Sequence, residues 1–168
     1  MKTNLANLMN IVVDEEKRFS SLGYDIKDHA YSVSAQELDG RTTIIEDYQE
    51  DFTKEFEEYK KTQEKITKIK ATIYEKNNTF KLPDGRTIQE AIVDNTNLRK
   101  MKTIYNYLIS QRDSKRRVTE VNNSYFECKT VNYDVNKLKQ EYDKLEKKIQ
   151  DTDFEISKLN SIEFDINI

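Results

Sequence analysis

Arg112, Lys115, Arg116 and Arg117 form a dense group of cations in a chain of 168 residues. Successive like charges repel, so such a group calls for something anionic beside it. Tyr105, Tyr107, Tyr125 and Tyr133 flank it in sequence, and rings next to guanidinium groups suit a nucleotide-like ligand. Arg86, in the run Asp84-Gly85-Arg86-Thr87, is a further candidate. Its guanidinium and the free N–H groups at the start of a following helix would hold a phosphate or carboxylate. The expected ligand-binding set is therefore Arg86, Tyr105, Arg112, Lys115, Arg116, Arg117 and Tyr125. In the competing reading Asp84-Gly85 only makes a turn, and the cations pair with acidic segments in cis or across a subunit boundary.

Other chemistries find little support. His29 and Cys128 are the single histidine and cysteine, so neither an intrachain disulfide nor a thiolate zinc cluster is expected. Glu46, Glu50 and Glu57 share a helical face, but a carboxylate-bridged metal centre in a bundle wants Glu-x-x-His, which is missing. No Walker or dinucleotide fingerprint occurs. The expectation is a protein that is not an enzyme, with no cofactor and no metal.

Charge is segregated along the chain. Residues 1–58 carry a net −8 and residues 95–117 a net +6, within an overall −3. A sequence pI of about 5.4 suits a small anionic ligand at one basic pocket better than a long phosphate backbone. No apolar run approaches the roughly 18 residues of a membrane helix, and the first residues lack a secretory pattern, so a cytoplasmic protein without membrane contact is expected.

The elements that must position these residues read as helices. Three Gly and one Pro are too few turn residues for a sandwich, barrel or doubly wound sheet. A first helix is predicted over Thr3–Ala30, with Leu5, Leu8, Val12, Phe19, Leu22 and Ile26 at heptad spacing and Glu15 and His29 in the remaining slots. A polar linker turns at Asp39-Gly40. Thr43-x-x-Glu46 then reads as a capping box opening a helix to about Lys76, with Ile45, Tyr48, Phe52, Phe56, Tyr59, Ile66, Ile69 and Ile73 as its stripe. A short hairpin is predicted near 79–88, turning at Leu82-Pro83-Asp84-Gly85. Thr87-x-x-Glu90 caps a third helix buried through Ile88, Ala91, Ile92, Leu98, Met101, Tyr105, Leu108 and Ile109, which fades through Arg112–Arg117. Residues 118–133 predict one or two strands or a crossover loop. Asp134 caps a fourth helix with heptad positions Val135, Leu138, Tyr142, Leu145, Ile149, Thr152, Ile156 and Leu159. The alternating tail over 161–168 (Ile162, Phe164, Ile166, Ile168) reads as extended.

Asn77-Asn78, the run Asp84-Gly85-Arg86-Thr87-Ile88 opening a helix, and Asp153-x-x-Ile156-x-x-Leu159-Asn160 before an extended tail resemble landmarks of the septicolysin-like family of uncharacterised bacterial helical proteins. The resemblance implies a cytoplasmic, mostly helical, oligomeric protein. The chain is thus expected to be one mainly α domain over 1–168, with long antiparallel helices in a bundle or coiled coil. Narrow a/d seams point to a homo-oligomer. It would hold a phosphate-bearing small molecule near a subunit interface. The alternatives are an adaptor coiled coil for another protein and, more weakly, a nucleic-acid binder.

Overall fold

The computed structural model describes residues 2–121 and 123–166. The element order is β1 (Lys2–Thr3), α1 (Leu5–Asp28), β2 (Val33–Gln36), β3 (Thr42–Glu46), α2 (Gln49–Thr79), α3 (Ile88–Ser110), β4 (Ser114–Glu120), β5 (Asn123–Lys129), α4 (Val135–Asn160) and β6 (Phe164–Asp165). The protein is mainly helical, and its strands form three separate antiparallel pairs, β1 with β6, β2 with β3 and β4 with β5. Two compact units emerge, one of the described residues up to Thr79 and from Asn160 on, the other Phe80–Leu159. Each contains a helix, a β-hairpin and a returning helix, in that order.

In the first unit the heptad stripe of α1 is the face that is covered: Leu5, Leu8, Val12 and Leu22 are buried, and Glu15, Phe19, Ile26 and His29 are half-buried. The helix starts at Leu5 rather than Thr3 because Asn4 caps it, accepting from the Asn7 N–H at 2.8 Å. Thr3 instead pairs with Phe164 in the β1–β6 ladder. Pairing of α1 with α2 is antiparallel, since partners run in opposite order: Glu15 with Lys65, Arg18 with Glu58, and His29 with Glu55. Phe19 stacks on Tyr59 with ring centroids 4.1 Å apart. Leu8, Val12, Ile69 and Ile166 form the core, with Ile11, Ile73 and Phe164 packed against it. The tail is therefore extended, as predicted, where β6 returns to β1; Ile168 lies outside the described residues.

Two expectations fail between Tyr31 and Gln49. The linker is a β-hairpin, turning through Gly40 at φ 91°, and Thr43-x-x-Glu46 is not a capping box but part of β3. Four successive β-branched residues, Thr42–Ile45, favour a pleated strand over a first helical turn. Asp47 takes the capping role instead, accepting from the Gln49 N–H at 3.1 Å. The covered stripe of α2 then runs Tyr48, Phe52, Glu55, Tyr59, Thr62, Ile66, Ile69, Ile73. Glu55 replaces the predicted Phe56, which is exposed, because Glu55 meets His29 across the seam.

The second unit begins with the predicted turn, where the Gly85 N–H donates to the Leu82 carbonyl at 2.9 Å and Gly85 sits at φ 89°. Lys81 and Thr87 bridge its ends. Thr87 and Glu90 complete their capping box. The eight predicted heptad positions of α4 are all buried or half-buried, and Asp134 caps the helix by accepting from the Asn136 N–H at 2.8 Å. On α3 the predicted Ile92 and Met101 face outward. Their places are taken by Asn95, which donates to Asp153 at 2.9 Å, and Lys102, which pairs with Glu146. Polar residues entered this seam because α4 presents carboxylates to them.

A cationic hairpin as candidate functional site

Helix α3 does not fade through the basic cluster. It stops at Ser110, and Arg112 closes it by donating to the carbonyls of Ile109 and Gln111, both at 2.7 Å. A cation on the final carbonyls also meets the negative end of the helix dipole. Asp113 accepts the Val131 N–H at 2.8 Å, and the Tyr133 hydroxyl donates to the Leu108 carbonyl at 2.7 Å. These bonds anchor the foot of the β4–β5 hairpin on α3.

Lys115, Arg116 and Arg117 are strand residues, in register with Cys128, Glu127 and Phe126. Alternate residues of a strand point to opposite faces, so the pleat divides the cluster. One face carries Arg116, bonded to Glu127 at 2.8 Å, with Lys129 3.9 Å from the same carboxylate. It also carries Val118 opposite Tyr125, the latter 45% exposed. The other face carries Lys115, Arg117, Phe126, Ser124, Thr119 and Cys128, none of which is acidic. There the Lys115 ammonium lies 4.4 Å from the Phe126 ring centroid, and the Arg117 Nε donates to the Ser124 hydroxyl at 3.1 Å. Phe126 is 58% exposed.

The remaining candidates lie elsewhere. Arg86 precedes α3, whose 23 residues separate it from the hairpin by roughly 35 Å at 1.5 Å per residue. Its guanidinium is taken by Asp84 and Asp94, both at 2.6 Å, and it holds the Asp84 carboxyl below the ordinary carboxylate range. Tyr105 sits in the α3–α4 seam, 3.3 Å from Glu141, where desolvation and that carboxylate raise its hydroxyl pKa. Of the seven predicted residues, the hairpin brings together Lys115, Arg116, Arg117 and Tyr125, on two faces. Phe126 and Ser124 were missed; reading a strand from Ser114 would have exposed them through its period of two.

A second polar cluster lies in the other unit. His29 Nδ1 is 2.9 Å from Glu55, and its ring stacks on Tyr48 at 4.7 Å. The hydrogen bond to Glu55 raises the His29 pKa, with the charges of Glu55, Asp51 and Asp25 adding to it against desolvation. An open groove of about 590 Å³ runs along the same helix pair, past Glu15, Arg18, Glu58 and Lys61. Among the described residues no three His, Cys, Asp or Glu side chains converge to hold a metal ion. Among those residues, too, no helix is long and apolar enough to cross a membrane.

Fold and site together define a mainly helical protein that displays an exposed cationic β-hairpin. The chain belongs to a family of unknown function, DUF6847, whose model matches residues 43–163. It is also similar to the crystal structure of a functionally unknown conserved protein from Corynebacterium diphtheriae. The two share 19% identity over 98% of this chain and 100% of the other, with a TM-score of 0.59. At that identity the likeness is one of fold. No curated protein matches the chain.

Proposed function

We propose that the protein is a non-enzymatic, homo-oligomeric helical binding protein of the cytoplasm that holds a phosphate-bearing, nucleotide-like small molecule on the Lys115–Arg117 face of β4–β5. The observation carrying this reading is the pleat, which leaves two cations on a face without carboxylates beside an exposed aromatic ring. Arg117 would grip phosphate oxygens as a fork and Lys115 as a point charge. Ser124 adds a hydroxyl donor, and Phe126 a surface for a base. Arg116, Arg112, Arg86 and Tyr105 are engaged by other groups of the same chain and lie off this face. In the same reading several copies of the chain associate, as the resemblance to the septicolysin-like proteins implies.

Isothermal titration with phosphate, pyrophosphate and a panel of nucleotides tests the proposal. Heat is expected with at least one of them, retained in Arg116→Gln and lost in Lys115→Glu/Arg117→Glu. Silence with every anion, or unchanged binding by the double variant, overturns it. The second reading, an adaptor for another protein, is favoured by the exposed Tyr31, Leu38 and Ile44 around β2–β3. Under that reading the anion titrations stay silent and Ile44→Asp abolishes capture of the partner.

A further inference from the structure

Both hairpins are exposed along nearly their whole length. Every residue of β2 and β3 is exposed; in β4 and β5 only Val118 and Glu127 are half-buried. Each hairpin is a sheet of two strands, so each strand keeps one edge without a strand partner among the described residues. A lone two-stranded hairpin is marginal in water, and such an edge is a template for a further strand. Both also show apolar side chains to solvent: Val33, Ile44 and Ile45 on one, Tyr125 and Phe126 on the other.

Their charges are opposite. Residues 33–47 carry Glu37, Asp39, Glu46 and Asp47 against Arg41 alone, and Arg41 is already held by Asp39 at 2.6 Å. Residues 114–129 carry Lys115, Arg116, Arg117 and Lys129 against Glu120 and Glu127. Two hairpins of the same kind would therefore repel at their edges, while unlike hairpins attract, which selects the pairing by charge. Each chain carries both members of the complementary pair.

We infer that β2–β3 of one copy adds edge to edge onto β4–β5 of a second copy. The five residues of β3 and the seven of β4 are long enough for a continuous ladder. Made twice between two copies, the contact uses all four hairpins. The inference deepens the self-association in the proposed function. It uses strand edges, so the Lys115–Arg117 face stays open to a ligand.

The test is the mass of the full chain by sedimentation equilibrium without added anion. The wild type is expected at the dimer mass or above. Glu37→Lys/Glu46→Lys and Lys115→Glu/Arg117→Glu are each expected at monomer mass, and an equimolar mixture of the two is expected to reassemble. High salt weakens the assembly. A monomeric wild type, unchanged mass in both variants, or a mixture that stays monomeric overturns the inference. Circular dichroism checks that each variant keeps its helices; where one does not, Glu37→Lys or Lys129→Glu alone replaces it in the mixing experiment. Phosphate titration of Glu37→Lys/Glu46→Lys, whose Lys115 and Arg117 are intact, reads the ligand site separately, so the two proposals fail independently.

Discussion

At the scale of single residues, His29 shows how one side chain ties local sequence to tertiary contact. It follows the last turn of α1, and its charged form is stabilised by Glu55 from α2. Its pKa in the folded protein lies above the ordinary 6.5. The stabilisation is therefore complete below that value and is lost as pH rises through the folded pKa. The wild-type melting temperature is expected to fall as pH rises above the ordinary histidine value of 6.5. Glu55→Gln should flatten that fall, which melts across the pH series will reveal. Gly23 and Gly85 make an opposed pair. A Cβ on Gly23 would meet Tyr59 Cε2 at 3.6 Å, an ordinary contact. Gly23→Ala should then stabilise the protein by roughly 0.5–1 kcal/mol through helix propensity. Gly85→Ala should destabilise it, because φ is +89° there. Denaturant unfolding of the two variants gives opposite signs if this is correct.

At the scale of elements, the helix starts are set by local chemistry wherever a cap stands alone. The Thr87 hydroxyl accepts from the Glu90 N–H at 3.1 Å, and Glu90 in turn accepts the Thr87 N–H at 2.7 Å. Thr87→Ala should cost about 1 kcal/mol and lower the melting temperature by about 2–4 °C; Thr87→Ser should restore most of it. The box at Thr43 had the same spelling but a different outcome, since its β-branched neighbours pair with β2. Capping motifs state what a helix would use, and strand pairing decides whether a helix is there. The seams follow the same logic. Heptad spacing was legible on α1 and α4, where the apolar residues are regular. It was misjudged on α2 and α3, because Glu55, Asn95 and Lys102 occupy covered positions whose partners lie on another helix. Asn95 is 1% exposed, and its amide also reaches the Ile149 carbonyl at 3.2 Å. Both acceptors lie on α4, so a slip of register between α3 and α4 would leave this buried amide without them.

At the scale of the whole molecule, the chain uses one plan twice: helix, hairpin, helix. The sequence carries no visible repeat because the two copies of the plan fill their seams with different residues, Leu8, Val12 and Ile69 at the centre of one and Asn95 and Ile149 in the other. The first unit draws on both ends of the described chain. Ile166 packs into the core with Leu8, Val12 and Ile69. Ile166→Asp places a charge there and should speed hydrogen exchange throughout α1 and α2. Ile69→Ala should cost about 2–5 kcal/mol. Exchange rates in α1 unaffected by either substitution would mean that the tail and α2 contribute little to this core.

Composition and periodicity were enough for a helical protein, the heptad faces of α1 and α4, the Asp84-Gly85 turn, and the caps at Thr87 and Asp134. These depend on interactions within about four residues, so neighbouring side chains determine them. The cationic cluster was equally visible as a run of charge. Its meaning was not, because a run has no faces until the backbone is known to be pleated. Only the tertiary structure placed Arg112 on the end of α3, gave Arg116 to Glu127, left Lys115 and Arg117 with Phe126, and set Arg86 at the far end of the same helix. Apart from the Arg112 cap, those outcomes depend on strand register and on partners 7 to 11 residues away in the chain, beyond the reach of helical spacing.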